Sequence, residues 1–228
     1  VELYDQMAPL HQKGFTKLDP WQEESIAIMN KRENLIVYAP TSSGKTVLSF
    51  YVTKFGKLIF VVPKEPLAIQ VSAALGQILG VLVPVVTDLI GDMIDLEKVG
   101  KVFNKTELYE TYRCAPALVG TPEKLVDILP EIGLKGVQYF VFDEIHSIND
   151  SSVGPNVEML LKMADAAKIP YLGLSATIGN VDWLQNKCQS FTQQKVNTVV
   201  CNRRFFNLQS CIYNSTTKNI DYLNPLSM

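Results

Sequence analysis

The residues with the clearest chemical potential lie in two short segments that are far apart in the sequence. The first is Thr41–Thr46, which interrupts the apolar residues of "LIVYAPTSSGKTVLSFYV". Small residues let the backbone curl round a phosphate with its N–H groups pointing inward. Lys45 can then reach the terminal phosphates, and the Thr46 hydroxyl is placed to ligate Mg²⁺. The segment predicts a loop for a nucleoside triphosphate, with Ala39 where the general pattern has glycine; the alternative is a Ser/Thr-rich turn that caps a helix.

The second segment is the acidic pair in "YFVFDEIHSI", where Asp143 and Glu144 follow the apolar run Tyr139–Phe142. Mg²⁺ favours one or two carboxylates together with water and phosphate oxygens. The other carboxylate can then orient and deprotonate an attacking water. An acidic pair after a strand is often a helix cap, but a phosphate loop upstream makes it specific. His146 alone is more often a packed or exposed histidine than a functional one.

The elements that must position these segments follow from short apolar runs with little polar alternation. Such runs predict strands that are covered on both faces, as in a parallel sheet. The predicted strands are Leu35–Tyr38, Leu58–Val62, Leu82–Val86, Ala117–Val119, Gln138–Phe142, Tyr171–Leu174 and Thr198–Cys201. Between them the pattern predicts the helices Pro20–Lys31, Lys45–Lys54, Pro66–Leu79, Thr121–Leu129, Asn156–Ala167 and Asn180–Gln189. This alternation predicts an α/β protein with a doubly wound, mostly parallel sheet, while Gly91–Arg113 is not assigned.

Composition excludes several classes of protein. Of 228 residues, 47% are apolar and 19% are charged, which is typical of a globular α/β domain rather than a disordered chain. The net charge of −2 indicates no general affinity for nucleic acid, although a local groove can still be basic. Four scattered cysteines predict reduced thiols without disulfides, and no apolar run is long enough to cross a membrane. We therefore expect an intracellular protein, and the missing initiator methionine and the abrupt end suggest a fragment.

The motifs in order resemble those of superfamily 2 helicases. "APTSSGKT", "VVPKEPLAIQ", "VGTPEKL", "DEIH" and "SAT" are similar to motifs I, Ia, Ib, II and III of that superfamily. "FTKLDPWQEESI" and "DLIGDMI" resemble elements of its Ski2-like branch, which here would be a DEIH-box member. "NRRFFNLQSCIY" resembles the segment that leads out of the first core domain. The likeness spans Phe15 to about Tyr213 and implies a RecA-like fold of the P-loop class.

The resemblance also implies a role for each matching residue. Nucleotide binding would fall to Gln22, which would read adenine, and to the loop residues Ala39, Pro40, Thr41, Ser42, Ser43, Gly44, Lys45 and Thr46. Thr46 and Asp143 would hold Mg²⁺, Lys45 would hold the phosphates, and Glu144 would be the general base. His146, Ser175 and Thr177 would couple the nucleotide to a nucleic-acid track formed by Pro63, Lys64, Thr121 and Pro122.

Each of these assignments has a simpler alternative. Gln22 could be a solvated helix residue, and the segment 175–177 could be a turn at the end of a strand. Thr121 and Pro122 could form only a helix start. Pro63 and Lys64 could be an ordinary strand exit. The sequence departs from the usual motif Ia at Glu65-Pro66, so the resemblance does not imply a specific side-chain contact from Glu65.

The domain prediction is a first RecA-like helicase domain over 1–213 and the start of a linker over 214–228. A second RecA-like domain would follow in cis and supply transition-state arginines. We expect the fragment to bind ATP and Mg²⁺, to hydrolyse ATP barely and not to unwind duplexes. The full-length protein would act on single-stranded nucleic acid without sequence preference, RNA being favoured over DNA. The alternatives are a nucleotide-binding interaction module and another phosphate-loop ATPase, such as an unfoldase or a transporter subunit.

Overall fold

The computed structural model describes residues 18–40, 43–86, 105–176 and 181–201, together with the backbone of 211–214 and 219–222. In these ranges seven strands form one sheet in which every pairing is parallel. They are β1 Asn34–Tyr38, β2 Lys57–Val61, β3 Val85–Val86, β4 Ala117–Gly120, β5 Val137–Phe142, β6 Tyr171–Ser175 and β7 Val196–Val200. Their order across the sheet is β3-β4-β2-β5-β6-β1-β7.

Helices cover both faces of this sheet. The α-helices are α1 Pro20–Asn30, α2 Lys45–Tyr51, α3 Glu65–Leu79, α4 Lys105–Cys114, α5 Pro122–Ile132, α6 Gly154–Ala166 and α7 Val181–Gln189. Short 3₁₀ helices extend α2 over Val52–Phe55 and follow β5 over Ile145–Asn149. Apolar residues of α1, α2 and α3 belong to one core cluster, and those of α4 to α7 belong to the other. The predicted doubly wound α/β fold is confirmed.

Successive residues of each central strand enter opposite cores, because side chains alternate along a strand. In β1, Leu35 and Val37 join the cluster of α1 to α3, whereas Ile36 and Tyr38 join the other. All five residues of β1 are buried. Two-sided burial explains why the strands appear in the sequence as continuous apolar runs without polar alternation.

Several elements differ from the sequence prediction; β7, for example, begins at Val196, two residues earlier than predicted, and ends at Val200. Helix α4 falls inside the unassigned region, because it buries only Tyr112 and its other side chains are largely polar. Strand β3 is limited to Val85–Val86, and Leu82, predicted to begin it, is 96% exposed. Helix α5 continues past Leu129 to Ile132 through Pro130, because both apolar residues around the proline are buried.

The remaining predictions concern the end of the chain, its thiols and membranes. Strands β8 Cys211–Asn214 and β9 Asn219–Tyr222 pair antiparallel, and the predicted boundary at residue 213, which stays a prediction, falls within β8. Cys114, Cys188 and Cys201 are reduced cysteines that take part in no disulfide among the described residues. No helix among the described residues is long and apolar enough to span a membrane.

Candidate functional site

The phosphate loop leaves the carboxyl end of β1 through the buried residues Ala39 and Pro40. The Ala39 N–H donates to the Ser175 carbonyl at 3.1 Å, and the Ser43 N–H donates to the Pro40 carbonyl at 3.2 Å. Gly44 then takes a left-handed conformation (φ +88°), which favours glycine, and α2 begins at Lys45. The geometry is that of a tight loop that feeds a helix. Thr41 and Ser42 lie outside the described residues.

The phosphate loop and the acidic pair meet in one cavity of about 360 Å³. Gly44, Lys45 and Thr46 line it from one side, and Asp143 and Glu144 from the other. This is the juxtaposition that the sequence predicts for residues so remote in the chain. The remaining wall is formed by α2, α3 and the sheet, through Ser49, Phe50, Phe60, Leu67, Gln70, Val71, Ala74 and Leu174. Sequence reasoning missed this wall, since its apolar residues have the spacing of ordinary core positions.

The acidic pair is held by the sheet and by a turn directly after it. The Asp143 N–H donates to the Val61 carbonyl at 2.8 Å, so pairing with β2 continues one residue beyond β5. Glu144 turns the chain with a left-handed backbone (φ +51°), and its N–H donates to Asp143 Oδ1 at 3.1 Å. Burial raises the pKa of Asp143, the neighbouring Glu144 charge raises it further, and Lys45 opposes both. A carboxylate so poorly solvated gains from a nearby cation.

Ser175 connects the phosphate loop to the segment that follows the acidic pair. Its carbonyl accepts from Ala39 on the phosphate-loop side, and its Oγ lies 3.1 Å from His146 Nδ1 on the acidic side. Because Ser175 Oγ donates to the Ala176 carbonyl at 2.9 Å, we assign the shared proton to His146 Nδ1. His146 Nδ1 also lies 3.2 Å from Glu144 Oε2. The predicted coupling residues His146 and Ser175 are therefore in contact, while Thr177 lies outside the described residues.

Gln22 is buried, with 5% of its surface exposed, so it is not a solvated helix residue. Its Oε1 accepts from the Asp19 N–H at 3.0 Å, and its Nε2 donates to the Gly44 carbonyl at 3.2 Å. The side chain thus connects the first turn of α1 to the phosphate loop. Its reading of adenine stays a prediction.

A second groove, of about 450 Å³, brings together the four residues predicted for the nucleic-acid track. Pro63 and Lys64 follow β2, Thr121 and Pro122 follow β4, and these strands are neighbours in the sheet. Glu65, Glu123, Lys124, Ser152, Val153 and Asn156 complete the lining. Sequence reasoning missed the contribution of residues 152–156, because nothing in their types indicates that they return to this rim.

The residues of the first cavity fit a nucleotide with a bound cation. Ser43 Oγ is buried without a hydrogen-bond partner among the described residues, and the buried Glu144 Oε2 has only the 3.2 Å approach of His146 Nδ1 there. Such polar atoms gain from a polar ligand. The Thr46 hydroxyl and the Asp143 carboxylate are oxygen donors of the type that Mg²⁺ prefers. In the described part of the chain no group of three His, Cys, Asp or Glu side chains is placed to hold a metal. Mg²⁺ would therefore depend on phosphate oxygens as well.

A phosphate loop after β1 and an acidic pair after β5 of a parallel sheet define a P-loop nucleotide-binding domain. The sequence matches the DEAD/DEAH box helicase family over residues 19–184, from the residue before α1 to within α7. The chain belongs to that family.

Individual relatives agree with this assignment. The chain is 28% identical over 180 residues to the human probable ATP-dependent RNA helicase DDX60-like. It is 29% identical over 194 residues to the ATP-dependent DNA helicase Hel308 of Pyrococcus abyssi. These matches cover 76% and 78% of the chain, but only 10% and 25% of the respective relatives.

A solved structure shows the same fold. The DUF1998 helicase MrfA, solved with DNA and AMPPNP, matches with a TM-score of 0.64 at 19% identity. The match covers 86% of this chain and 29% of that one. The RecA-like fold predicted from the motifs is thereby confirmed.

Proposed function

We propose that the chain is the ATP-binding motor domain of an ATP-dependent helicase that acts on single-stranded nucleic acid. The observation that carries the proposal is the single cavity lined by Lys45, Thr46, Asp143 and Glu144. A protein-interaction module would not need a loop lysine and two carboxylates to converge in this way. Family membership supports a helicase over an unfoldase or a transporter subunit.

The proposed chemistry assigns each residue a separate task. Lys45 and the N–H groups of residues 41–46 bind the β- and γ-phosphates of ATP. Thr46 and Asp143 would hold Mg²⁺, which when bound neutralises charge on the phosphate oxygens. Glu144 Oε2, whose contact among the described residues is His146 Nδ1, would accept a proton from the attacking water. His146 lies 3.2 Å from that oxygen, so it can hold the carboxylate in position.

Coupling to nucleic acid would run through Ser175. Its contacts with Ala39 and His146 join the phosphate loop to the acidic segment. Thr177 would extend this path, and the track of Pro63, Lys64, Thr121 and Pro122 would receive the backbone of one strand. Contacts to sugar and phosphate carry little sequence information, so we expect binding without sequence preference.

We propose RNA as the preferred substrate, a Ski2-like branch and an intracellular location. The human relative is named as an RNA helicase, whereas Hel308 is named as a DNA helicase and MrfA was solved with DNA. The similarity to Hel308 supports the branch only weakly. Gln22 would read adenine, as its position beside Gly44 allows.

We also propose that a second RecA-like domain in cis completes the active site. In other nucleotide hydrolases an arginine supplied to the transferring phosphoryl group is worth roughly 10³–10⁵ in rate. Without it, the 228-residue chain should bind ATP weakly, turn it over slowly and leave duplexes intact.

The test compares ATP binding to the wild type, to Lys45→Ala and to the control Lys135→Ala, with Mg²⁺ present. A charged hydrogen bond is worth about 1.5–3 kcal/mol, so Lys45→Ala should weaken binding by roughly ten- to a hundred-fold. Lys135 is exposed and precedes the amino end of β5, whereas the cavity lies at the carboxyl ends of the strands, so its variant should bind like the wild type. Equal affinities for all three proteins would refute the proposed nucleotide site. Helicase-like turnover of ATP by the 228-residue chain alone would refute the proposal that a second domain completes the active site.

A further inference from the structure

The segment that follows the acidic pair reaches as far as the groove proposed for nucleic acid. Its 3₁₀ helix, Ile145–Asn149, begins directly after Glu144, which lines the nucleotide cavity. A few residues later, Ser152, Val153 and Asn156 line the groove beside the four predicted track residues. One short stretch of chain therefore contributes to both proposed ligand sites.

Hydrogen bonds connect the two ends of this stretch, and Asp150 lies between them. The Ser147 N–H donates to the Glu144 carbonyl at 2.9 Å, and the Asp150 N–H donates to the Ser147 carbonyl at 2.9 Å. Asp150 Oδ1 accepts from the Ser152 N–H at 2.8 Å and from the Ser152 hydroxyl at 2.7 Å. These bonds hold the pKa of the Asp150 carboxyl below its ordinary value. Every step from Glu144 to the groove is thus hydrogen-bonded.

The packing around Asp150 leaves this stretch little freedom to move. The Gly154 N–H donates to the Asp150 carbonyl at 2.8 Å, and a Cβ on Gly154 would lie 2.3 Å from the Ile148 carbonyl oxygen. Ile145 and Ile148 are both buried in the core below. The start of α6 therefore packs directly against the 3₁₀ helix. Because packed contacts transmit a displacement, a shift of the groove wall should reach the residues beside Glu144.

We propose that Asp150 is a positioning residue that couples the groove to the acidic pair. This inference rests on the proposed function, because it links the two ligand sites of that function. Ser175 joins the acidic segment to the phosphate loop, whereas Asp150 joins the same segment to the groove wall. A strand that contacts Ser152 orders this wall, and with it the turn at Glu144. The nucleotide then binds a site that is already ordered, so each ligand should strengthen the binding of the other.

A turn that serves only stability makes a different prediction. Asp and Asn side chains commonly accept from the N–H two residues further on and so hold a turn. If Asp150 only stabilised the start of α6, its loss would lower stability and leave the coupling between the two ligands unchanged. The loss of a positioning residue should instead make the two binding events independent, in a protein that is still folded and still binds each ligand.

The experiment measures binding of a fluorescein-labelled oligo(U), and of oligo(dT) in parallel, by anisotropy, with and without saturating AMPPNP and Mg²⁺. The proteins are the full 228-residue chain and the variants Asp150→Ala, Asp150→Asn and Ser152→Ala. Asp165→Ala is the matched control, because Asp165 Oδ1 accepts from the Gln193 N–H at 3.0 Å near the other end of α6. Thermal unfolding of each variant verifies that it is folded.

We expect the nucleotide to tighten oligonucleotide binding to the wild type by about five-fold or more, the lower end of typical coupling between sites. Asp150→Ala should reduce this gain to less than about two-fold, while its affinity for the oligonucleotide alone changes little. Asp150→Asn keeps an acceptor oxygen and should retain the gain. Ser152→Ala keeps only the N–H donor, so its gain should fall between those of the wild type and Asp150→Ala. Asp165→Ala should behave like the wild type.

Three results would overturn the inference and leave the proposed function standing. They are no gain in the wild type, a full gain in Asp150→Ala, and a gain lost in Asp165→Ala as completely as in Asp150→Ala. Should Asp150→Ala not fold, an undiminished gain in Ser152→Ala would overturn the inference instead. A wild type that binds neither AMPPNP nor either oligonucleotide would refute the proposed function, and the inference with it.

Discussion

Gly173 lies at a position where a single methyl group would disturb the acidic segment. It is buried in β6, where it pairs with Ile36 of β1 and Phe142 of β5. A Cβ built on Gly173 would lie 2.6 Å from Ile145 Cδ1 and 3.1 Å from Ile145 Cγ2. Ile145 is 1% exposed and follows Glu144 directly, so it has little space to move away. We predict that Gly173→Ala displaces Ile145 and, with it, Glu144.

The expected magnitude combines two opposing effects. An extra methyl group in a packed core costs about 1–3 kcal/mol, and the stiffer unfolded chain of the alanine variant returns about 0.4–1 kcal/mol. We therefore expect Gly173→Ala to lower the free energy of unfolding by about 1–2 kcal/mol. Binding of ATP should weaken as well, because the acidic pair moves relative to Lys45.

A compensating variant makes the prediction specific to this contact. Ile145→Val removes Cδ1, the atom that lies 2.6 Å from the added methyl group. Alone it should cost about 0.5–1.5 kcal/mol. The double variant Gly173→Ala/Ile145→Val should recover most, but not all, of the alanine's cost, because Cγ2 at 3.1 Å remains; this corresponds to a coupling energy of roughly 0.5–1.5 kcal/mol.

The assay is urea unfolding followed by tryptophan fluorescence, with an ATP-binding titration on the same samples. The slope of the unfolding free energy against urea should stay constant across the four proteins, so that midpoints report stability. Strictly additive losses in the double variant would show that the predicted contact does not exist. A Gly173→Ala protein as stable as the wild type would equally refute the predicted clash with Ile145.

Three further predictions concern the site and the thiols. Because burial and Glu144 raise the pKa of Asp143, the folded state holds this proton more tightly than the unfolded chain does. Stability is then lost as the pH rises from the ordinary value of 3.8 through the folded pKa. Asp143→Asn should therefore be more stable than the wild type at about pH 7, and the difference should shrink towards about pH 4. Thermal melts across that pH range measure the difference. An Asp143→Asn protein less stable than the wild type at neutral pH would contradict the prediction. Ser175→Ala removes the hydroxyl that contacts His146 and should lower the free energy of unfolding in urea by about 0.5–1.5 kcal/mol. ATP binding should persist, because alanine keeps the carbonyl that accepts from the Ala39 N–H. Loss of ATP binding would contradict this. Iodoacetamide should label the exposed Cys114 in the native protein, but label Cys188, which is buried with a pKa of about 12, only after unfolding. Peptide mass spectrometry measures both, and native labelling of Cys188 would show that its region opens.

Much of the fold could be predicted because its signals are local. The strands before and after α2, β1 and β2, are apolar runs of five residues each, a usual strand length. Asp19-Pro20 marks the start of α1 with a capping residue and a proline. Helix α4 could not be predicted, since it fully buries a single residue, Tyr112, and its charged and polar side chains hide the short apolar face of Leu108, Tyr109 and Tyr112. Leu82 is the opposite case: its type indicates a strand, but it lies three residues before β3 begins and is exposed.

The candidate site divides in a similar way. The resemblance of two motifs predicts that His146 and Ser175 act together, and the structure brings the two residues into contact. The link from Gln22 to Gly44 has no signal in the sequence, because it depends on how α1 packs beside the loop. The pairing of Glu65 with Lys124 depends on the order of β2 and β4 in the sheet, which no local pattern of residues encodes.

The position of β6 has a consequence for how the protein is made. Both chemical motifs precede residue 150, yet the strands that carry them are separated by β6 in the sheet. Leu35 of β1 pairs with Leu172 of β6, a residue that leaves the ribosome much later. Closing such a long loop is slow, so the site should form late in folding. A nascent chain that ends before Tyr171 would contain every residue of the phosphate loop and of the acidic pair, but would lack the strand that pairs with both β1 and β5.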